Sequence, residues 1–147
     1  MRREYPDRPI LAVGAVVVKD GKVLLTKRAE EPHRGLWTLP GGVVQPDEGL
    51  EAAVERELAE ECGIEIAVDA VAEVVEQKIP DGHGRVRFHY VIVDYLARWL
   101  EGDLILSREV TDAKWVDPVD LHHYQMSCGT ADLIRRLLAR RDALTWS

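Results

Sequence analysis

Between Leu50 and Glu61 an apolar helical stripe turns acidic. Leu50, Ala53 and Val54 fall at the spacing of one buried helix face, and Glu57, Glu60 and Glu61 continue that face. Carboxylates at i, i+3 and i+4 project together and repel one another. Burying one unpaired costs on the order of several kcal/mol. The pattern therefore predicts a cation on this face. Arg56 can neutralise one acid, but a single guanidinium cannot serve three clustered acids and Glu48 as well. Carboxylate oxygens suit a hard ion such as Mg²⁺, which shares its coordination with substrate phosphates. An acidic surface helix with basic partners is the plainer alternative, and the continuity with the apolar stripe weighs against it.

The flanking residues bound the helix. Leu39-Pro40-Gly41-Gly42 ends a strand-like stretch in two residues that allow a tight turn beside the acids, where the Gly42 carbonyl can also reach a metal. Pro46-Asp47-Glu48 suits a helix N-terminus, and Gly63 suits a left-handed stop. The helix is expected from Asp47 or Gly49 to Cys62.

Around it the chain reads as α/β with a mixed sheet. Ile10 to Val18 and Lys22 to Arg28 form two strands joined by Lys19-Asp20-Gly21, a hairpin signal. Ile64 to Ile79 and Val86 to Leu96 read as long strands around Pro80-Asp81-Gly82-His83-Gly84, and Lys114 to Val116 as a short one. Asp132 to Leu144 carries Leu133, Ile134, Leu137 and Leu138 on one stripe, so it reads as a closing amphipathic helix whose arginines form a solvated face.

A chain of 147 residues without a linker or repeat is expected to form one domain, 1–147, with residues 1–9 as a short polar arm. The polar, proline-broken start is not a signal peptide, and no span of about 18 apolar residues suggests a membrane helix, so a cytoplasmic location is expected. Cys62 and Cys128 are then expected to be reduced. A net charge of −7 argues against general nucleic-acid affinity. A small diphosphate can still be met locally by Lys27, Arg28 and Arg34.

The run Gly42, Glu48, Arg56-Glu57-Leu58, Glu60-Glu61, Gly63-Ile64 resembles the signature of the Nudix hydrolases, with no fixed position missing. The Leu-Pro-Gly-Gly entry and the flanking strands are similar too. The resemblance implies an α/β/α sandwich with a mixed sheet between helices. It also implies Mg²⁺, with Mn²⁺ as substitute, and water attack on the diphosphate linkage of a nucleotide. It assigns Glu57, Glu60 and Glu61 to the metal with Gly42, one of Glu57 and Glu61 as general base, and Arg56 and Glu48 to orienting the ligands. One further acid is expected from a loop across the cleft, with Glu109 first and Asp112 and Asp103 next. Pro80, sixteen residues beyond Ile64, and Arg8-Pro9 leading to Ala12-Val13-Gly14 resemble the ADP-ribose-cleaving subgroup. Proline needs no functional reason in a turn, however. Trp37 is expected in the core, while His83, His89 and Phe88 are candidates for the pocket. ADP-ribose or a related nucleotide sugar is the preferred substrate. The rivals are a MutT-type triphosphate pyrophosphohydrolase, a catalytically silent nucleotide sensor and a purely structural cation site. Homodimerisation is common among resembling proteins.

Overall fold

The computed structural model describes residues 2–143. A seven-stranded sheet carries the fold: β1 (Ile10–Lys19), β2 (Lys22–Arg28), β3 (Trp37–Thr38), β4 (Gly41–Val43), β5 (Glu65–Pro80), β6 (Val86–Glu101) and β7 (Val110–Val116). Two α-helices, α1 (Leu50–Cys62) and α2 (Thr130–Ala143), and a 3₁₀ helix at Pro118–His123 complete it. The helix end expected at Leu144 lies outside the described residues.

Valine-rich strands with apolar residues on both faces need cover on both sides, and the two helices supply it. Val13, Ala15 and Val17 of β1 pack with Ala53, Val54, Leu58 and Cys62 of α1. Val16 and Val18 point the other way and join Leu25, Leu96, Leu133, Ile134 and Leu137 of the α2 layer. Trp37 belongs to this second core and meets Tyr124 edge-on at 5.1 Å, as expected of a packing tryptophan.

The sheet runs β3-β2-β1-β6-β5, with β4 also on β1 and β7 also on β2. β1 and β6 are parallel and the other pairs antiparallel, so the sheet is mixed as the sequence implies. Asp20 and Gly21 both take positive φ, 50° and 75°, giving the two-residue turn that joins β1 to β2. β7 is longer than its apolar core suggests because it pairs with β2 from Val23 opposite Val116 to Arg28 opposite Val110. Backbone pairing carries it through polar residues that have no strand signal of their own. The parallel register sets Gly14 of β1 opposite Asp94 of β6, a juxtaposition that shapes the site.

Candidate active site

α1 starts after Gly49 and ends at Gly63, whose φ of 73° and N–H bonds to the Ala59 and Leu58 carbonyls close the last turn. Glu57 and Glu61, one turn apart, face the sheet and are 8% and 6% exposed. Glu60 is rotated away; its side chain is 61% exposed and lies on Arg56. The third member of the cluster comes from another part of the chain. The segment before β7 is stitched to the end of α1 by the Ile105 N–H on the Cys62 carbonyl (2.9 Å) and the Ser107 N–H on the Glu61 carbonyl (3.2 Å). Its far end is held where the Ala29 N–H donates to the Glu109 carbonyl (3.1 Å). Carboxylate oxygens of Glu57, Glu61 and Glu109 thereby fall within 4.8 Å of one another. Among the described residues Asp103 and Asp112 do not join them: Asp103 is exposed and Asp112 accepts from the Ala113 N–H.

Arg56 serves more acids than its single charge suggests. It donates from Nε to Glu48 (2.6 Å), from Nη2 to Glu48 (2.9 Å) and the Val43 carbonyl (3.2 Å), and from Nη1 to Glu57 and Glu60 (3.0 Å each). The guanidinium thus ties α1 to β4 and fixes the Glu57 carboxylate, while Glu61 gets no share of it. This fork geometry is specific to arginine.

The electrostatics follow. Burial raises the Glu57 carboxyl, and Arg56 opposes the shift. Glu61 is pushed up to about 8, first by burial and then by the charges of Glu57 and Glu109, with Arg28 pulling the other way. Two buried acids and one exposed acid on a shared centre form an all-oxygen donor set open to solvent on the Glu109 side, which fits a hard divalent cation. Gly42 makes the room: a Cβ there would collide with the Glu57 carboxylate.

A cavity of about 230 Å³ lies beyond the glycines on the α2 face. Ala12, Gly14, Tyr90, Ile92 and Asp94 line it from β1 and β6, and Thr130 and Arg136 line it from α2. Arg28 sits at the junction. It lines the cavity, acts electrostatically on Glu61, and is held by its Nε bond to the Pro32 carbonyl at 2.6 Å. Arg34 is not brought here; its exposed side chain faces Glu31 at 3.9 Å, and it lies on the far side of the Arg28–Leu36 turn. Pro80 and His83 line a separate surface pocket, His89 pairs with Glu76, and Phe88 is buried on Tyr90, so none of the four borders this cavity.

Three cavity residues escape a sequence reading. Arg136, expected on a solvated face, forms a two-pronged bond with Glu73 of β5 (3.0 and 3.2 Å) across the cavity mouth. His33 has a buried Nε2 without a hydrogen-bond partner, and its pKa is lowered by burial and by Arg28. Asp94 is 7% exposed. Only Asp94 leaves a signal in the sequence, as a lone charge inside the apolar run Val91 to Leu96.

Comparison with known proteins agrees with this geometry. The NUDIX domain model matches residues 8–137. The chain is 37% identical over 138 residues to the CTP pyrophosphohydrolase of Escherichia coli, covering 91% of this chain and 95% of that one. It is 32% identical over 109 residues to the ADP-ribose pyrophosphatase of Methanocaldococcus jannaschii, covering 74% of this chain and 62% of that longer relative. The crystal structure of a MutT NUDIX hydrolase from Burkholderia pseudomallei superposes with a TM-score of 0.73 at 32% identity, over 88% of this chain and 98% of that one. With the signature helix, the mixed sheet and the matched span in agreement, this chain belongs to the Nudix hydrolase family.

Proposed function

We propose that the protein hydrolyses the diphosphate linkage of a nucleoside diphosphate derivative, ADP-ribose or a related nucleotide sugar, with Mg²⁺ as cofactor. The meeting of Glu57, Glu61 and Glu109 beside a cavity of about 230 Å³ lined by Arg28 carries this reading. Glu57 and Glu61 hold the cation, with the carbonyl of Gly42, which lies against Glu57, as a further ligand, while Glu60, turned onto Arg56, helps to hold the guanidinium. A divalent ion there draws charge from the phosphate oxygens and acidifies water. Arg28 binds the diphosphate at the junction of acids and cavity, and Arg56 with Glu48 keeps Glu57 in position. Glu109, exposed and facing the buried pair, takes the proton of the attacking water. The new P–O bond forms as the anhydride P–O bond breaks, so ADP-ribose and water give AMP and ribose 5-phosphate.

One observation favours a second reading. The likeness to a CTP pyrophosphohydrolase runs over 95% of that protein, and the same acids and cavity suit release of pyrophosphate from a nucleoside triphosphate.

Product analysis with ADP-ribose, nucleotide sugars and nucleoside triphosphates, in Mg²⁺ and in chelator, separates the two. Two monophosphates from ADP-ribose support the first reading. A monophosphate and pyrophosphate from CTP move the protein to the second. Turnover that persists in chelator removes the cation from both.

A further inference from the structure

The N-terminal arm, which the sequence offers only as a polar start, is tied down on the β5–β6 hairpin. The Tyr5 N–H donates to the Arg87 carbonyl at 2.7 Å, its hydroxyl donates to Asp81 at 3.1 Å, and the Arg85 guanidinium lies over its ring at 4.3 Å. Arg87 in turn donates to the Glu4 carboxylate at 3.2 Å. Asp81 also accepts from the His83 and Arg85 N–H groups, so the side chain that shapes the hairpin turn anchors the arm as well. Tyr5 takes a φ of 49°, a conformation that a bulky residue keeps only where its surroundings impose it. Chain ends are ordered where something holds them. Core burial is not the reason here, because no residue from 2 to 9 is buried.

What the arm positions is Arg3, whose exposed side chain lines the cavity. Burial raises the Tyr90 phenol on the cavity floor, and Arg3 and Arg28 both oppose that shift, so the two guanidiniums act on one hydroxyl. Arg28 also acts on Glu61, which joins this end of the cavity to the acid cluster. Charge is therefore divided along β6. Asp94 lies four residues from Tyr90, about 13 Å at the rise of a strand, with Glu73 opposite it on β5 and Arg136 bonded to Glu73. Among the described residues neither Arg3 nor Arg28 pairs with an acid; Arg28 is held through the Pro32 carbonyl. A solvated arginine needs no tethered arm behind it. In a chain of net charge −7, two unpaired arginines on one cavity mark the place of an anion.

We propose that Arg3, delivered by the N-terminal arm, binds a phosphate of the nucleotide substrate together with Arg28, and that Tyr5 is the positioning residue that holds it there. The inference rests on the nucleotide-hydrolase reading above and deepens it. A guanidinium meets phosphate oxygens with a planar set of donors, which makes arginine suited to this contact. The Asp94 and Glu73 carboxyls lie at the other end of β6, so the bound nucleotide carries its phosphates toward Arg3 and Arg28.

The test is calorimetric binding of AMP and of adenosine to the full chain in Mg²⁺, for the wild type, Arg3→Gln, Arg3→Lys, Tyr5→Ala and the pair Arg3→Gln with Tyr5→Ala. A charge-assisted contact at an exposed site sets the scale, so Arg3→Gln is expected to weaken AMP by about three- to tenfold. It should leave adenosine within about twofold, and Arg3→Lys, which keeps the charge, should retain most of the AMP affinity. Tyr5→Ala should weaken AMP by about twofold or more on its own and add nothing to Arg3→Gln, because an arm that acts through Arg3 then has no contact left to lose. A wild type that does not bind AMP overturns the proposal. So does AMP binding indifferent to Arg3→Gln, or an equal loss for adenosine, which would place Arg3 against the nucleoside. A Tyr5→Ala effect that persists beside Arg3→Gln overturns the positioning role. Selective loss of AMP in a protein that turns over no diphosphate or triphosphate would refute the hydrolytic reading and leave Arg3 standing, whereas turnover with KM unmoved by Arg3→Gln would refute Arg3 alone.

Discussion

Glu61 and Asp94 show what single residues give up for a site. Both carboxyls are raised by burial, to about 8 and about 7, against about 4 in an unfolded chain. Between these values the native state binds more protons than the unfolded state, so stability falls as pH rises. The metal-free protein should lose stability from about pH 4 to about pH 8, and Glu61→Gln and Asp94→Asn should each remove part of that slope. At neutral pH each change is expected to stabilise by on the order of 2 kcal/mol, read as a higher melting temperature in chelator. Glu57→Gln should lower kcat by about a hundredfold or more with circular dichroism unchanged, because it removes a ligand without altering shape. A fully active variant would exclude Glu57 from the site. Gly42→Ala belongs to the same scale: its methyl group displaces the Glu57 carboxylate, so activity should fall while far-UV dichroism persists. The acid pair was legible from the helical spacing of Glu57 and Glu61. Asp94 was not singled out, since a lone acid in an apolar run has meaning only once its neighbours across the sheet are known.

Arg56 links the elements. By bonding Glu48, Glu57, Glu60 and the Val43 carbonyl it holds the first turns of α1 against β4. Arg56→Lys keeps the charge and loses the fork. It should reduce kcat about 10- to 100-fold and weaken Mg²⁺ binding, measured by turnover against a metal titration. A change in melting temperature alone would mean that Arg56 only braces the helix. Helix bounds and hairpins were readable because caps and turns are local: Gly63 stops α1, and Asp20-Gly21 turns β1 into β2. The true length of β7 was not, because its polar half is a strand only through pairing with β2. Nor was the placement of Glu60, which shares the sequence stripe but bonds Arg56 on its outer side.

At the scale of the whole molecule the site lies where both layers of the sandwich meet the glycine strand. A ligand that binds only the native state raises its melting temperature by mass action. Mg²⁺ should therefore stabilise the wild type and chelator should reverse it, whereas Glu61→Gln should respond weakly to either. The Arg136–Glu73 latch joins α2 to β5 over the cavity mouth. Arg136→Ala should alter KM several-fold and leave kcat within about twofold, since the latch touches the entrance and not the acids. The sequence by itself determined the acid-bearing helix, its glycine borders, the strand pairs and the family, all carried by short-range spacing. Only the tertiary structure decided that Glu109 completes the acids, that Arg28 and not Arg34 reaches the cavity, and that Asp94 faces it. Those relations join segments far apart in the chain, and their geometry is set by sheet register and loop tethering, which local residue patterns do not encode.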